Sequence, residues 1–359
     1  MVLIFGVMLG FSLAANAQVY VQTNLVSDVP GMATHTDPNL VNAWGIAFNP
    51  NAFAWVADNH TGVSTLYDGA GNPASLVVTI PPAPGDTGPG SPTGIVFNGS
   101  SGFMVTKGTV TGTGIFIFAS ESGTIAAWAP NVDLTHAVLM VDNSSSEAIY
   151  KGLALAANGT GHFLYATDFH NSKIDVFDKN FHPATLPGSF ADPAIPRGFA
   201  PFGIQNLNGN IYVTYAKQDA NKVDDVAGKG LGFVNVFDAN GHLIRRVASH
   251  GKLNAPWGMA IAPAGFGRFS NRLLVGNFGD GAINAYDVAT GEFLDQLRGP
   301  DGKRLMIDGL WGLSFGNGLL NQPTDVLFFA AGPDDENHGL YGRIEPMNVN
   351  DRDDSNDQR

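Results

Sequence analysis

The chain contains no cysteine. Disulfides, thiolate metal centres and a cysteine nucleophile are therefore excluded, and stability must come from packing and hydrogen bonds. Positive charge is scarce: 19 Lys and Arg stand against 32 Asp and Glu, a net charge of −13. Nucleic acid and anionic lipid are recognised through clustered Lys and Arg, so neither is expected as a partner. The one sustained apolar stretch is Val2–Leu13, and these 12 residues are too few to cross a bilayer as a helix. No G-x-S-x-G, H-E-x-x-H, Walker or Rossmann fingerprint occurs, which leaves serine hydrolase, zinc protease and nucleotide-dependent readings without support.

What the chain has in abundance is glycine and proline, 45 and 21 residues, the punctuation of many turns and few long helices. It also repeats itself. NAWGIAFNP (Asn42–Pro50) is echoed by SPTGIVFNG, IYKGLALAAN, APFGIQNLNG, APWGMAIAP and GLWGLSFGNG, with central glycines Gly45, Gly94, Gly152, Gly203, Gly258 and Gly312. Intervals of 49 to 58 residues mark a repeat architecture. After each glycine strand come short runs rich in Val, Ile, Phe and Tyr, such as FAWVAD, VSTLYD and SLVVTI, bounded by Asn, Asp, Gly and Pro. In four of the six repeats the third run closes on an aromatic residue and an aspartate: Asp68, Asp178, Asp238 and Asp287. Turn chemistry accounts for these aspartates better than a ring of metal ligands does.

The expected fold is all-β, a six-bladed β-propeller of four-stranded blades over residues 18–346. The last blade lacks a fourth strand, and VYVQTNLV (Val19–Val26) is spare at the other end. Pairing the two would close the ring and remove its open edge. The outer segment of the third blade is broken by proline. Residues 1–17, ending in Ala15-Asn16-Ala17, read as a signal peptide cut after Ala17. The mature protein is expected to be secreted or periplasmic, without a membrane span, and monomeric. Residues 347–359, with Asp351, Asp353, Asp354 and Asp357, are expected to form a disordered acidic tail.

These repeats resemble those of NHL and SMP-30/gluconolactonase-type six-bladed propellers, whose pattern runs P-x-G-I-A, I-Y-V-A-D, N-x-I-x-V-F-D. VADNHTGVSTLYD (Val56–Asp68) and YATDFHNSKIDVFD (Tyr165–Asp178) are the nearest copies. The opening VQTNLVSD with NAWGIAFNP looks like a family of uncharacterised exported bacterial proteins, some ending in a PEP-CTERM sorting signal. This chain has no Pro-Glu-Pro motif, so sorting by that route is not implied. The resemblance implies a fold and leaves function open. SMP-30-like enzymes hold a metal with Glu, Asn and Asp, and streptogramin-lyase-like propellers use His. Neither set can be placed residue by residue here.

Loops joining second to third strands share one face of such a ring with the starts of the inner strands. Asp58, Asp168, Asn277 and Asp334 lie in these loops and offer oxygen ligands for a hard cation such as Ca²⁺; the alternative is that they cap turns. His60 and His170 occupy matching positions and are candidate acid/base groups; His338 is a further candidate for ligand contact. Trp44, Trp257 and Trp311 precede their glycines and would serve either as an aromatic platform for a sugar or as packing between blades. Lys151 stands where the other repeats carry aromatic residues or Thr, a position suited to binding an anion or to a lowered pKa. The polar insert Lys217–Gly230 reads as a surface loop or lid. Two functions are compatible with this pattern: a scaffold binding a small molecule, glycan or protein, or a metal-assisted lactonase, hydrolase or lyase at the channel mouth.

Overall fold

In a computed structural model describing residues 18–347, the recurring glycines lie where the innermost strands of six sheets converge. A Cβ added to Gly45 would stand 2.4 Å from the carbonyl O of Thr93. At Gly203 it would stand 2.1 Å from Trp257 O, at Gly258 2.3 Å from Trp311 O and at Gly312 2.6 Å from Trp44 O. Gly94 meets Leu153 N and Gly152 meets Phe202 O in the same way. Each contact joins one repeat to the next, and the last returns to the first. Glycine recurs because the neighbouring backbone occupies the place of its side chain.

The ring is a six-bladed β-propeller. Blade one comprises Ala43–Phe48, Ala54–Asp58, Val63–Tyr67 and Val78–Thr79; blade two comprises Pro92–Phe97, Phe116–Ser120, Thr124–Trp128 and Val138–Asp142. A separate hairpin, Met104–Lys107 with Val110–Thr113, fills the lengthened loop of blade two. Blade four runs through Phe199–Leu207, Asn210–Lys217, Gly232–Phe237 and Leu243–Ser249, and blade five through Pro256–Ile261, Arg272–Asn277, Ile283–Asp287 and Phe293–Gln296. Blade six comprises Leu310–Phe315, Leu327–Ala331, Leu340–Met347 and, as its fourth strand, Val19–Ser27. The last two pair antiparallel from Val19↔Met347 to Ser27↔Leu340, the closure expected from the spare N-terminal strand.

Blade three departs from four-stranded regularity. It has only Tyr150–Ala157, His162–Asp168 and Lys173–Phe177. The expected leader, residues 1–17, and all but the first residue of the expected tail lie outside the described residues.

Apolar faces of adjacent blades interdigitate. Between blades one and two, Trp55 stacks on Phe116 at 4.0 Å, with Trp128 beside it at 4.8 Å. The aspartates closing the third strands are turn residues. Asp68 Oδ1 accepts from the N–H groups of Ala70 and Asn72, and Asp238 Oδ1 from those of Asn240 and His242. Asp178 and Asp287 do the same in blades three and five.

Candidate functional site

The inner strands start at one face, and the residues just before their glycines meet on the axis. Trp44 stacks on Trp311 at 3.7 Å, Phe278 covers the other side of Trp311 at 4.0 Å, and Trp257 meets both tryptophans edge-on. Trp44 and Trp311 are 1% exposed. These rings cover one another at the axis, so of the two readings of the tryptophans, packing is the one the structure shows and an open platform for a sugar is not formed. Their bulk makes a dry floor instead. Trp257 donates its Nε1–H to the carbonyl of Lys151 at 2.9 Å, and Trp311 donates to Asn42 Oδ1 at 3.1 Å.

Lys151 lies on this floor. Its Nζ is 5.3 Å from the Trp44 ring centre, 2.5 Å from Glu121 Oε1 and 3.1 Å from Asp224 Oδ1. Burial alone would lower its pKa, but Glu121 and Asp224 outweigh burial and raise it. The expectations of a lowered pKa and of an anion site at Lys151 are both corrected: the ammonium is already satisfied by two carboxylates.

Glu121 also accepts from Asn59 Nδ2 at 2.9 Å. Burial opposes its charge, but Lys151 and the Asn59 bond prevail and hold its pKa below the usual carboxylate range. Two more acids face the same place. Asp225 has its pKa pushed up to about 7, chiefly by burial and then by Asp224, against the pull of Lys151. Glu336 is also pushed up to about 7, by burial first and then by Glu121, Asp224 and Asp225. Glu336 ends a run of three residues with left-handed φ, Asp334 at 58°, Asp335 at 51° and Glu336 at 67°. Such a turn costs energy for non-glycine residues.

Asp224 and Asp225 come from the Lys217–Gly230 insert. Asp219 Oδ1 caps the N–H groups of Val223 and Asp224 there, and Asn254 Oδ1 accepts from Gly228 N. The insert is thus folded over the mouth with a carboxylate on Lys151.

The expected metal ligands are not gathered. Asp168 caps its own loop, accepting from Ile149 N and from both nitrogens of Asn171. Asn277 does likewise, accepting from Asn254 N and donating to Lys252 O and Asp280. Asp334 is largely exposed, 3.9 Å from His338. Among the described residues no group of three or more His, Asp or Glu could hold a metal ion.

Asp58 is different. It is fully buried, and burial raises its pKa well above the usual range against the opposing pull of the Thr65 hydroxyl and N–H. The charge of Asp37, which accepts from the Tyr67 hydroxyl at 2.8 Å, adds to that rise.

The two matched histidines part company. His60 is exposed and its field reaches Glu121, whereas His170 Nε2 lies 3.8 Å from Glu147. His338 is bound by Asp28 at 2.8 Å, which raises its pKa. Sequence reasoning missed Glu121, Asp225 and Glu336. All three lie in second-to-third-strand loops, of blades two, four and six, the loop family that the repeat pattern had already assigned to this face.

No protein-family model matches the chain. Three uncharacterised proteins of Acanthamoeba polyphaga mimivirus are similar to it, two of them over most of its length. One is 36% identical over 327 residues, 89% of this chain and 78% of the relative; the other is 35% identical over 329 residues, 89% and 84%. The chain belongs to this family. These relatives are viral, whereas the sequence pattern had pointed to exported bacterial proteins.

Among solved structures, the soluble aldose sugar dehydrogenase of Escherichia coli in its apo form aligns with a TM-score of 0.56 at 13% identity, over 92% of this chain and 100% of that one. A streptogramin B lyase aligns at 0.53 and 12%, over 92% and 98%. At such identities the likeness concerns the fold alone.

Proposed function

We propose that this propeller is a binding protein for a small organic cation, held at the acidic mouth above the tryptophan floor. The observation carrying this reading is charge balance: four carboxyl groups, Glu121, Asp224, Asp225 and Glu336, surround a single ammonium, Lys151. A concave site with an apolar floor and a few convergent polar groups is the usual form of a small-molecule site. The carboxylates are spread around Lys151, which suits an ammonium or guanidinium group better than a bare metal ion.

Asp225 and Glu336, at about 7, retain protons at neutral pH that an arriving cation would expel. Affinity is therefore expected to rise about tenfold between pH 6 and pH 8, with proton release on binding. Calorimetric titration of the full protein with spermidine and with agmatine tests this, and Glu336→Gln should flatten the pH dependence. Absence of binding heat with both amines would refute the reading. Titration with Ca²⁺ alone tests the metal alternative separately, because a specific ion raises thermal stability by mass action.

A catalytic reading rests on a different observation: two carboxyls poised near neutrality beside an ammonium are equipped to accept and donate protons. Chemical change in a bound amine, lost in both Asp225→Asn and Glu336→Gln, would favour it. Export remains part of the proposal. N-terminal sequencing of the mature protein should begin at Gln18, and an uncut cytoplasmic protein would count against export.

A further inference from the structure

Blade three lacks a fourth strand, and we propose that its open edge is a docking site for an extended peptide, which adds as that missing strand. The edge is Lys173–Phe177. Val176 O accepts from Ala184 N, and Asp178 N donates to His182 O, so the even-numbered residues turn their backbone groups outward. Among the described residues nothing pairs with the outward N–H and C=O of Ile174 or with the N–H of Val176. In blade one the corresponding stretch is covered: Ala74 N donates to Leu66 O, and Val78–Thr79 then pairs with Val63–Ser64. In blade three the chain leaves instead. Gly188 N donates to Asn240 O and Phe190 N to Gly241 O, both on blade four. Pro183, Pro187, Pro193 and Pro196 remove the donors a ladder would need there.

The departure leaves a groove of about 470 Å³ along the edge, with Asn143, Ser146 and Ala148 on one wall and Thr185, Leu186 and Phe190 on the other. Free amide and carbonyl groups spaced two residues apart along a strand match the backbone of another strand. Walls on both sides favour a single extended strand over the broad outer edge of a second propeller. The walls also differ in chemistry. Ile174 and Val176 pack toward blade four with Leu186 and Phe190, while Asp175 turns toward blade two, accepting from the Tyr150 hydroxyl at 2.8 Å. The fitting partner is therefore a peptide alternating apolar and polar residues, its apolar side toward blade four. Lys173 and Asp175 could instead mark an edge guarded against pairing, and the experiment separates the two.

Because the chain has no cysteine, Thr185→Cys gives a single labelling position on the groove wall of the full protein. The probes are two synthetic octapeptides that alternate Val or Ile with Ser or Lys, in opposite phase, each with a partner N-methylated at alternate amides. At least one unmodified peptide should shift the fluorescence of a dye at position 185 saturably. N-methylation on the pairing side should weaken it at least tenfold, as should Ile174→Pro, which removes an outward donor at a position where an edge strand tolerates proline. The N-methylated peptide carries the test if that variant does not fold. Equal binding of the two peptide forms, or no binding of either sequence at millimolar concentration, overturns the proposal. So does a dimer in light scattering that Ile174→Pro abolishes, because the edge would then serve a second copy.

Discussion

Gly203 and Gly209 stand in the same blade and answer to different constraints. Gly209 has a φ of +86° with nothing within 4 Å of an added Cβ, so its requirement is conformational, whereas Gly203 is confronted by Trp257 O at 2.1 Å. Alanine at position 209 should cost about 1–2 kcal/mol, the price of a left-handed residue with a side chain. At position 203 it must push two blades apart and should cost more than about 4 kcal/mol, the range reserved for such mechanisms. Urea unfolding of both variants checks the order. Asp58 gives a second prediction at this scale. Its folded-state pKa is raised, so the protonated form favours folding and stability falls as pH rises from about 4 through the folded pKa. Asp58→Asn should remove that loss, because an amide carries no charge into the buried site, and should exceed the wild type at pH 8 by about 1–3 kcal/mol, the order of a buried group's desolvation cost. If the wild type and the variant lose stability equally between pH 5 and pH 8, Asp58 is not the group responsible. The glycines were legible because one geometric demand was met six times in sequence. Glu121, Asp225 and Glu336 were not: they sit in second-to-third-strand loops of blades two, four and six, but in loops of different length and sequence, so no repeated residue marks them and they converge only when the ring closes.

At the scale of elements, the expected closing strand and the Pro-broken blade were both readable, since proline and unpaired strands carry local signals. What the sequence left open was where the proline-rich segment would go, which depends on the turn of blade four that receives it. The closing strand is anchored by Tyr20, 1% exposed, which stacks on Phe269 at 5.8 Å and donates its hydroxyl to Phe266 O at 3.1 Å. Tyr20→Ala should destabilise by about 3–5 kcal/mol, as for other buried aromatics. Tyr20→Phe, which keeps the ring, should cost about 1 kcal/mol for the lost hydrogen bond. Thermal unfolding followed by near-ultraviolet circular dichroism would show a large loss for one and a small loss for the other. Equal losses would mean that the hydroxyl, and not the ring, fixes the strand.

For the molecule as a whole, the two ends of the described chain lie side by side, Val19 opposite Met347. A short turn joining them, with the chain reopened at Gly108, should leave the fold intact. Gly108 is an exposed hairpin tip with open space around it, the kind of place where new ends are tolerated. Circular dichroism and the amine titration should match those of the parent, and a molten product would refute the expectation. The same adjacency has a consequence for biosynthesis. The strand Val19–Ser27 leaves the ribosome first among the described elements, and its partner Leu340–Met347 leaves last. At roughly 5–20 residues per second, the interval between them is on the order of tens of seconds. Throughout that time the nascent chain carries an unmatched strand, and whatever shields it sets the yield of the finished protein. The permuted chain, in which the two are translated back to back, has no such waiting period.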